Sequence, residues 1–166
     1  LLSSGPNVTG INGVTEAYIR SAYKRGFVGE NSLFNTIKMS LQICEEKMKR
    51  TNSYTVAVLV TQAKFLDFGQ TIEYIAKAWN KPLSLIIVGA GIKDEEDSYH
   101  LRALANEDQY YKANGKNSKK RIPQPRQFVT FIDYTRELEN QSNWNDILFG
   151  SIPNQVSAWE ALSNLL

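Results

Sequence analysis

Six polar residues lie where a predicted strand ends or a predicted helix begins, and side chains of these types can bind another molecule. They are Asn31, Ser32, Thr61, Gln62, Lys64 and Asp67. Parallel α/β sheets bind their ligands at the carboxyl ends of the strands. Hydroxyl, amide, ammonium and carboxylate groups bind through hydrogen bonds and charge. The segments 61–67 and 89–97 follow predicted strands and are therefore the loops expected to carry a binding site.

Residues that support catalysis are scarce. His100 is the only histidine, Cys44 is the only cysteine, and no Gly-x-Ser-x-Gly elbow occurs. Cys44 falls on the apolar stripe of a predicted helix, which indicates a packed core thiol. The turn at 89–91 lacks the third glycine of a dinucleotide site, because position 94 is Asp. We predict no catalytic residues, and a hydrolase or nucleotide enzyme is the most distant alternative.

Three apolar segments form the predicted sheet that positions these residues. Tyr54–Val60 and Leu83–Val88 have the composition of strands buried on both faces, and Phe128–Ile132 is the third candidate. A helix of about residues 68–80 separates the first two strands. Strand, helix and strand in this order predict an α/β fold of three layers, with a mostly parallel sheet flanked by helices and right-handed crossovers.

Three further helices complete the predicted framework. The clearest carries apolar residues at steps of three and four: Phe34, Ile37, Leu41, Cys44 and Met48. Asn31 or Ser32 is expected to cap its start, because each offers a side-chain oxygen to the free amides. A short helix is predicted over 14–23 and a final helix through 156–162, whereas residues 1–7 read as a linker.

A basic segment, 112–126, interrupts this order with six basic and no acidic residues, and it is predicted to be a long exposed loop. The residues expected to contact an anionic surface are Lys116, Lys119, Lys120, Arg121 and Arg126. A membrane contact of this kind is one interpretation and a solvated loop is the other. Nucleic acid is not expected, because no aromatic side chains interleave with the charges.

Several segments resemble the copine family, in the family's order and over nearly the whole chain. The segment 81–91, Lys-Pro-Leu-Ser-Leu-Ile-Ile-Val-Gly-Ala-Gly, resembles the copine signature Leu-Pro-Leu-Ser-Ile-Ile-Ile-Val-Gly-Val-Gly. The segment 54–71 is similar to the copine strand, Thr-Asp-Gly loop and helix-opening threonine. Residues 8–18, 27–34 and 152–156 are similar to the family's other motifs. The 81–91 match is specific, and the others support it.

The resemblance implies the C-terminal part of a von Willebrand A-type domain, spanning residues 1–166 and lacking the N-terminal strands. Such domains hold Mg²⁺ with an Asp-x-Ser-x-Ser loop, a threonine and an aspartate. No Asp-x-Ser-x-Ser occurs here, and Asn31 and Gln62 stand at the threonine and aspartate positions. We therefore expect a degenerate metal site without a cofactor. The resemblance implies that the loops of this site bind a partner instead, through Asn31, Ser32, Thr61, Gln62, Lys64 and Asp67. Mg²⁺ or Ca²⁺ is expected only if an upstream segment supplies the missing ligands.

The family is known for calcium-dependent phospholipid binding, which the resemblance assigns to C2 domains outside this segment. The expected function is non-enzymatic protein–protein interaction within a larger protein or assembly. The expected partner is a protein or the missing N-terminal half of the domain, and the alternative is an anionic membrane bound through 112–126. The single cysteine predicts a reducing, cytoplasmic location, whereas the formal charge of +2 is too small to indicate a membrane by itself. Peripheral membrane contact is expected only under the membrane alternative.

Overall fold

The computed structural model describes residues 8–25, 32–62, 65, 67–92, 95–106, 126–140 and 143–164. The chain divides into two compact units, Leu1–Glu30 and Asn31–Leu166. In the first unit, helix α1 runs over Gly10–Arg25, longer at both ends than the predicted 14–23. The predicted linker 1–7 and nearly all of the basic segment lie outside the described residues.

The second unit begins with helix α2, Leu33–Thr51, whose apolar stripe was the clearest helical pattern in the sequence. The Ser32 side chain accepts a hydrogen bond from the Asn35 amide and so caps the helix, while Asn52 ends it in the left-handed conformation. The face buried against the core carries Leu33, Ile37, Leu41 and Cys44. This confirms the interpretation of Cys44 as a packed thiol, and burial raises its pKa above the ordinary value.

Three parallel strands form the sheet: β1, Thr55–Thr61; β2, Leu83–Gly89; and β3, Val129–Asp133. They lie in the order β1-β2-β3, with β2 in the centre. Helices α3, Phe68–Lys77, and α4, Glu95–Leu104, connect them. Helices α5, Tyr134–Glu139, α6, Trp144–Phe149, and α7, Ile152–Ser163, follow β3.

The central strand β2 is buried on both faces, as its continuous apolar sequence predicted. One face, with Leu85 and Ile87, packs against apolar residues of α2, α3 and α4. The opposite face, with Ile86 and Val88, packs against residues of α6 and the start of α7. The three-layer α/β fold with a parallel sheet flanked by helices is therefore confirmed.

The edge strand β1 is covered on one face only. Leu59 packs into the same cluster as Leu85, whereas Val56, Val58 and Val60 are exposed, Val60 to 70%. The Thr55 amide donates to Pro82 O, and Thr61 O accepts from the Ala90 amide. Backbone groups alternate in direction along a strand, so those of the three valines point away from β2. No other strand in the described part of the chain pairs with this edge.

Candidate functional site

The three strands end together at one edge of the sheet. Thr61 pairs with Gly89, and Gly89 pairs with Asp133, so the last residues of β1, β2 and β3 lie side by side. Gln62 follows β1 directly and is exposed. This is the edge at which the sequence predicted a binding surface, and the register places Thr61 and Gln62 on it.

Asp67 is the carboxylate at the end of the β1–α3 connection, and both of its oxygens are engaged inside the protein. Oδ2 accepts from Ser32 Oγ at 2.6 Å and from the Phe34 amide at 3.2 Å. Oδ1 accepts from the Leu33 amide and from Thr71 Oγ1, each at 3.3 Å. The carboxylate therefore joins the start of α2 to the β1–α3 connection.

The direction of this carboxylate is unusual for its place in the chain. Asp67 occupies the N-cap position of α3, yet its side chain makes no capping hydrogen bond to an α3 amide. It points instead to the first amides of α2, a helix with no acidic residue in its own first turn. An anion at this position is favoured by the helix dipole and satisfies amides that have no partner within the helix.

Among the six predicted contact residues, the structure joins Ser32 to Asp67 directly. Thr61 and Gln62 lie at the end of β1, where the Ala90 amide donates to Thr61 O at 2.8 Å. Asn31 and Lys64 lie outside the described residues. The sequence could not reveal the link between Ser32 and Asp67, because 35 positions separate them.

An aromatic cluster lies beside this region, and sequence reasoning did not identify it. The ring of His100 lies 5.2 Å from that of Phe68 and 6.4 Å from that of Phe65, between centroids. The ring of Tyr99 packs edge-on against that of His100, with 5.8 Å between centroids, and Tyr99 is 65% exposed.

Asp133 at the end of β3 was also missed, because the predicted strand stopped one residue short of it. Its side chain caps α5 through the Arg136 amide.

Arg126 requires a correction to its predicted role. It was assigned to an exposed anionic-surface site, but it is 5% exposed. The guanidinium donates to five oxygen atoms, namely Trp79 O, Lys81 O, Leu83 O, Gln155 O and the Tyr54 hydroxyl. Burial lowers the pKa of Arg126 below its ordinary value, and the Tyr54 hydroxyl acts in the opposite direction. The positive charge of Arg126 is therefore bound by oxygen atoms inside the protein and does not form part of an exposed anion-binding surface.

A chain of buried hydrogen bonds continues from Arg126 to α7. Ser84 Oγ donates to Gln155 Oε1, so the hydroxyl of Tyr54, 2.8 Å away, must donate to Ser84 Oγ. Gln155 Nε2 then donates to Thr130 Oγ1 at 3.2 Å. Gln155 is the one buried residue of α7, and it fixes this helix to the sheet through a polar side chain in addition to the apolar contact of Ile152.

The remaining predicted basic contacts, Lys116, Lys119, Lys120 and Arg121, lie outside the described residues. Within the described ranges, no three His, Cys, Asp or Glu side chains come together as metal ligands would. None of the helices in those ranges is both long enough and apolar enough to cross a bilayer.

Comparison with known proteins agrees with this architecture. The family model described as Copine matches residues 1–166. Copine-C of Dictyostelium discoideum is 31% identical over 93 residues, covering 55% of this chain and 17% of that protein. Copine-A of the same organism is 29% identical over 126 residues, covering 75% and 20%. Nicotinic receptor-associated protein 1 of Caenorhabditis briggsae is 30% identical over 101 residues, covering 61% and 16%.

The fold and these similarities define a class and then a family. A parallel sheet between helical layers, with its polar residues at the strand ends, is a von Willebrand A-like α/β domain. The chain belongs to the copine family. It spans a fifth or less of the length of the three relatives described above.

Proposed function

We propose that this chain is a non-enzymatic protein-binding domain that contacts its partner at the carboxyl end of the sheet without a bridging metal ion. The contact surface includes Ser32, Thr61 and Gln62, with Asn31 and Lys64 as further members. The proposal rests on the hydrogen bonds of Asp67, because its two carboxylate oxygens already accept four hydrogen bonds from protein donors.

The described residues do not fit a tightly held Mg²⁺ or Ca²⁺ ion. A hard cation takes oxygen ligands, several of them charged, in a fixed arrangement. Gln62 offers only a neutral amide, and the carboxylate of Asp67 has about four acceptor sites, all of them used. The carboxylate of Asp133 already accepts from the Arg136 amide. A partner is therefore expected to bind through direct hydrogen bonds and packing. Phe65 and His100 provide aromatic surface beside the same loop.

The relatives support a binding function. One of them is named for its association with a nicotinic receptor, and the others are named as copines.

The scarcity of nucleophiles and bases supports a non-enzymatic function. The chain has a single thiol, which is buried, and one histidine, whose described ring contacts are with Phe65, Phe68 and Tyr99. A cytoplasmic location belongs to the proposal, because one cysteine cannot form an intrachain disulfide.

Site-specific photo-crosslinking tests the proposed surface. A photoreactive amino acid at Gln62 is compared with one at Met39, which lies on α2 and is 62% exposed. In extract from the source cells, the probe at Gln62 should give one discrete protein adduct, and EDTA should not alter its yield. The probe at Met39 should not give this adduct. An adduct that disappears in EDTA, or the same adducts at both positions, would contradict the proposal.

A second contact surface is proposed at the open edge of β1. The strand carries no charge and no proline, the features that commonly protect an exposed edge from pairing. Its exposed valines continue the face that α6 covers over β2. We propose that the rest of the copine domain, or a protein partner, supplies a strand here.

The alternative function is contact with an anionic membrane. Its candidate residues are now Lys116, Lys119, Lys120 and Arg121, because Arg126 is buried.

A further inference from the structure

We propose that Asp67 is a positioning residue that holds the two loops of the candidate site together, in place of a bridging cation. This inference rests on the proposed function, because it concerns the same surface. The loops that Asp67 joins are the start of α2 and the connection from β1 to α3.

The first support is the choice of partners. An aspartate at an N-cap usually bonds the amides of the helix that follows it. Asp67 instead receives the Leu33 and Phe34 amides, which lie 34 and 33 positions away. Ser32 strengthens the link from the other side, since its hydroxyl donates to Asp67 and accepts from the Asn35 amide. Carboxylate and hydroxyl together therefore satisfy three consecutive amides of α2.

The second support is the anchoring of the connection that carries Gln62. Its beginning is fixed where Thr61 O accepts from the Ala90 amide. Its end is fixed where Asp67 accepts four hydrogen bonds and where the Thr71 amide donates to Asp67 O at 2.9 Å. Gln62 thus lies in a short connection with both ends attached, and Phe65 also packs against Phe68.

The third support is that a cation has no free place on this carboxylate. A metal ion bound to Asp67 would have to displace an amide of α2, Ser32 or Thr71. Each of those donors would then lose its partner in a half-buried position, which is unfavourable. The geometry of the site should therefore be the same with and without divalent cations, and it should depend on the hydroxyl of Ser32.

Amide hydrogen exchange of the full chain tests the inference. The Asp67→Asn change replaces one acceptor oxygen with a donor and removes the charge. Exchange at Leu33 and Phe34 should become about tenfold to a hundredfold faster, the loss expected for a charge-assisted hydrogen bond. Amides of β2 should not change. In the unaltered chain, excess Mg²⁺ and EDTA should give the same rates. Glu73→Gln, an exposed change on the same helix as Thr71, is the control.

A pair of changes at Ser32 keeps the test valid if the Asp67 variant does not fold. Ser32→Thr retains the hydroxyl and should keep the Phe34 amide protected from exchange. Ser32→Val introduces a side chain of nearly the same shape as that of Ser32→Thr but without a hydroxyl, and it should leave the Phe34 amide unprotected. Equal protection in both variants would overturn the inference, as would Mg²⁺-dependent protection in the unaltered chain. The crosslinking at Gln62 reports separately on the proposed function. An intact adduct with unchanged exchange in Asp67→Asn would reject only the positioning role.

Discussion

Each end of the sheet contains a charged side chain whose polar contacts among the described residues are hydrogen bonds to polar groups of the protein. At the carboxyl end, Asp67 accepts from the first amides of α2. At the amino end, Arg126 donates to carbonyl oxygens around the start of β2 and just after α3. Amides at the start of a helix and carbonyls near its end carry partial charges that suit these two ions.

Asp67 and Arg126 differ in how deeply they are buried, and this difference separates a residue of the structural framework from a residue of the candidate site. Arg126 is almost completely buried and fills its donor capacity with five oxygens, so it belongs to the framework. Asp67 is only half-buried and lies at the rim beside the exposed Gln62, so it determines the shape of a surface. A charge in the interior contributes to stability, and a charge at the rim contributes mainly to the geometry of the site.

The largest expected effect follows from removing the interior charge. Arg126→Met leaves several buried carbonyl oxygens without donors and should lower the free energy of unfolding by roughly 3 kcal/mol or more. Arg126→Lys keeps the charge but cannot reach five oxygens, and it should recover only part of this loss. Denaturant unfolding measures both. Arg102→Met, an exposed change on α4, should alter the free energy of unfolding little. A loss as large as that of Arg126→Met would show that the effect does not depend on burial of the charge.

A smaller effect is expected at the rim. Asp67→Asn should lower the free energy of unfolding by about 1–2 kcal/mol, because α2 loses charge-assisted partners but water can reach its exposed start. The same unfolding experiment provides the value. A loss as large as that of Arg126→Met would place Asp67 in the framework and contradict the comparison between the two ends.

The edge of β1 extends the comparison to a region that no other described strand covers. An exposed apolar edge promotes pairing between chains. We expect the chain by itself to self-associate in sedimentation velocity runs. Val58→Lys should shift it toward monomer, whereas Val58→Thr, which keeps a β-branched side chain, should not. A chain that is already monomeric and folds cooperatively would show that the edge requires no cover.

The basic segment gives the smallest expected effect. Under the protein-binding proposal, changing Lys119, Lys120 and Arg121 to Gln leaves partner crosslinking at Gln62 unchanged. The membrane alternative predicts a decrease of about a hundredfold in binding to anionic liposomes, because each basic residue contributes about 1 kcal/mol near such a surface. Co-sedimentation with and without anionic lipid distinguishes the two.

The framework could be predicted from the sequence where its signals are local. The apolar run of β2 and the stripe of α2 each indicated an element directly, and Cys44 was correctly placed in the core. The two charged residues could not be placed, because the α2 partners of Asp67 and the partners of Arg126 lie 29 or more positions away. Arg126 was grouped with its basic neighbours, although its position three residues before β3 was a sign that it belongs to the framework.

Calorimetric titration of the folded chain with Mg²⁺, Mn²⁺ and Ca²⁺ tests the central claim most directly. The account predicts no micromolar binding of any of the three ions, because Asp67 is already committed to α2. Micromolar binding that disappears in Asp67→Asn would contradict it, since the carboxylate would then be a metal ligand.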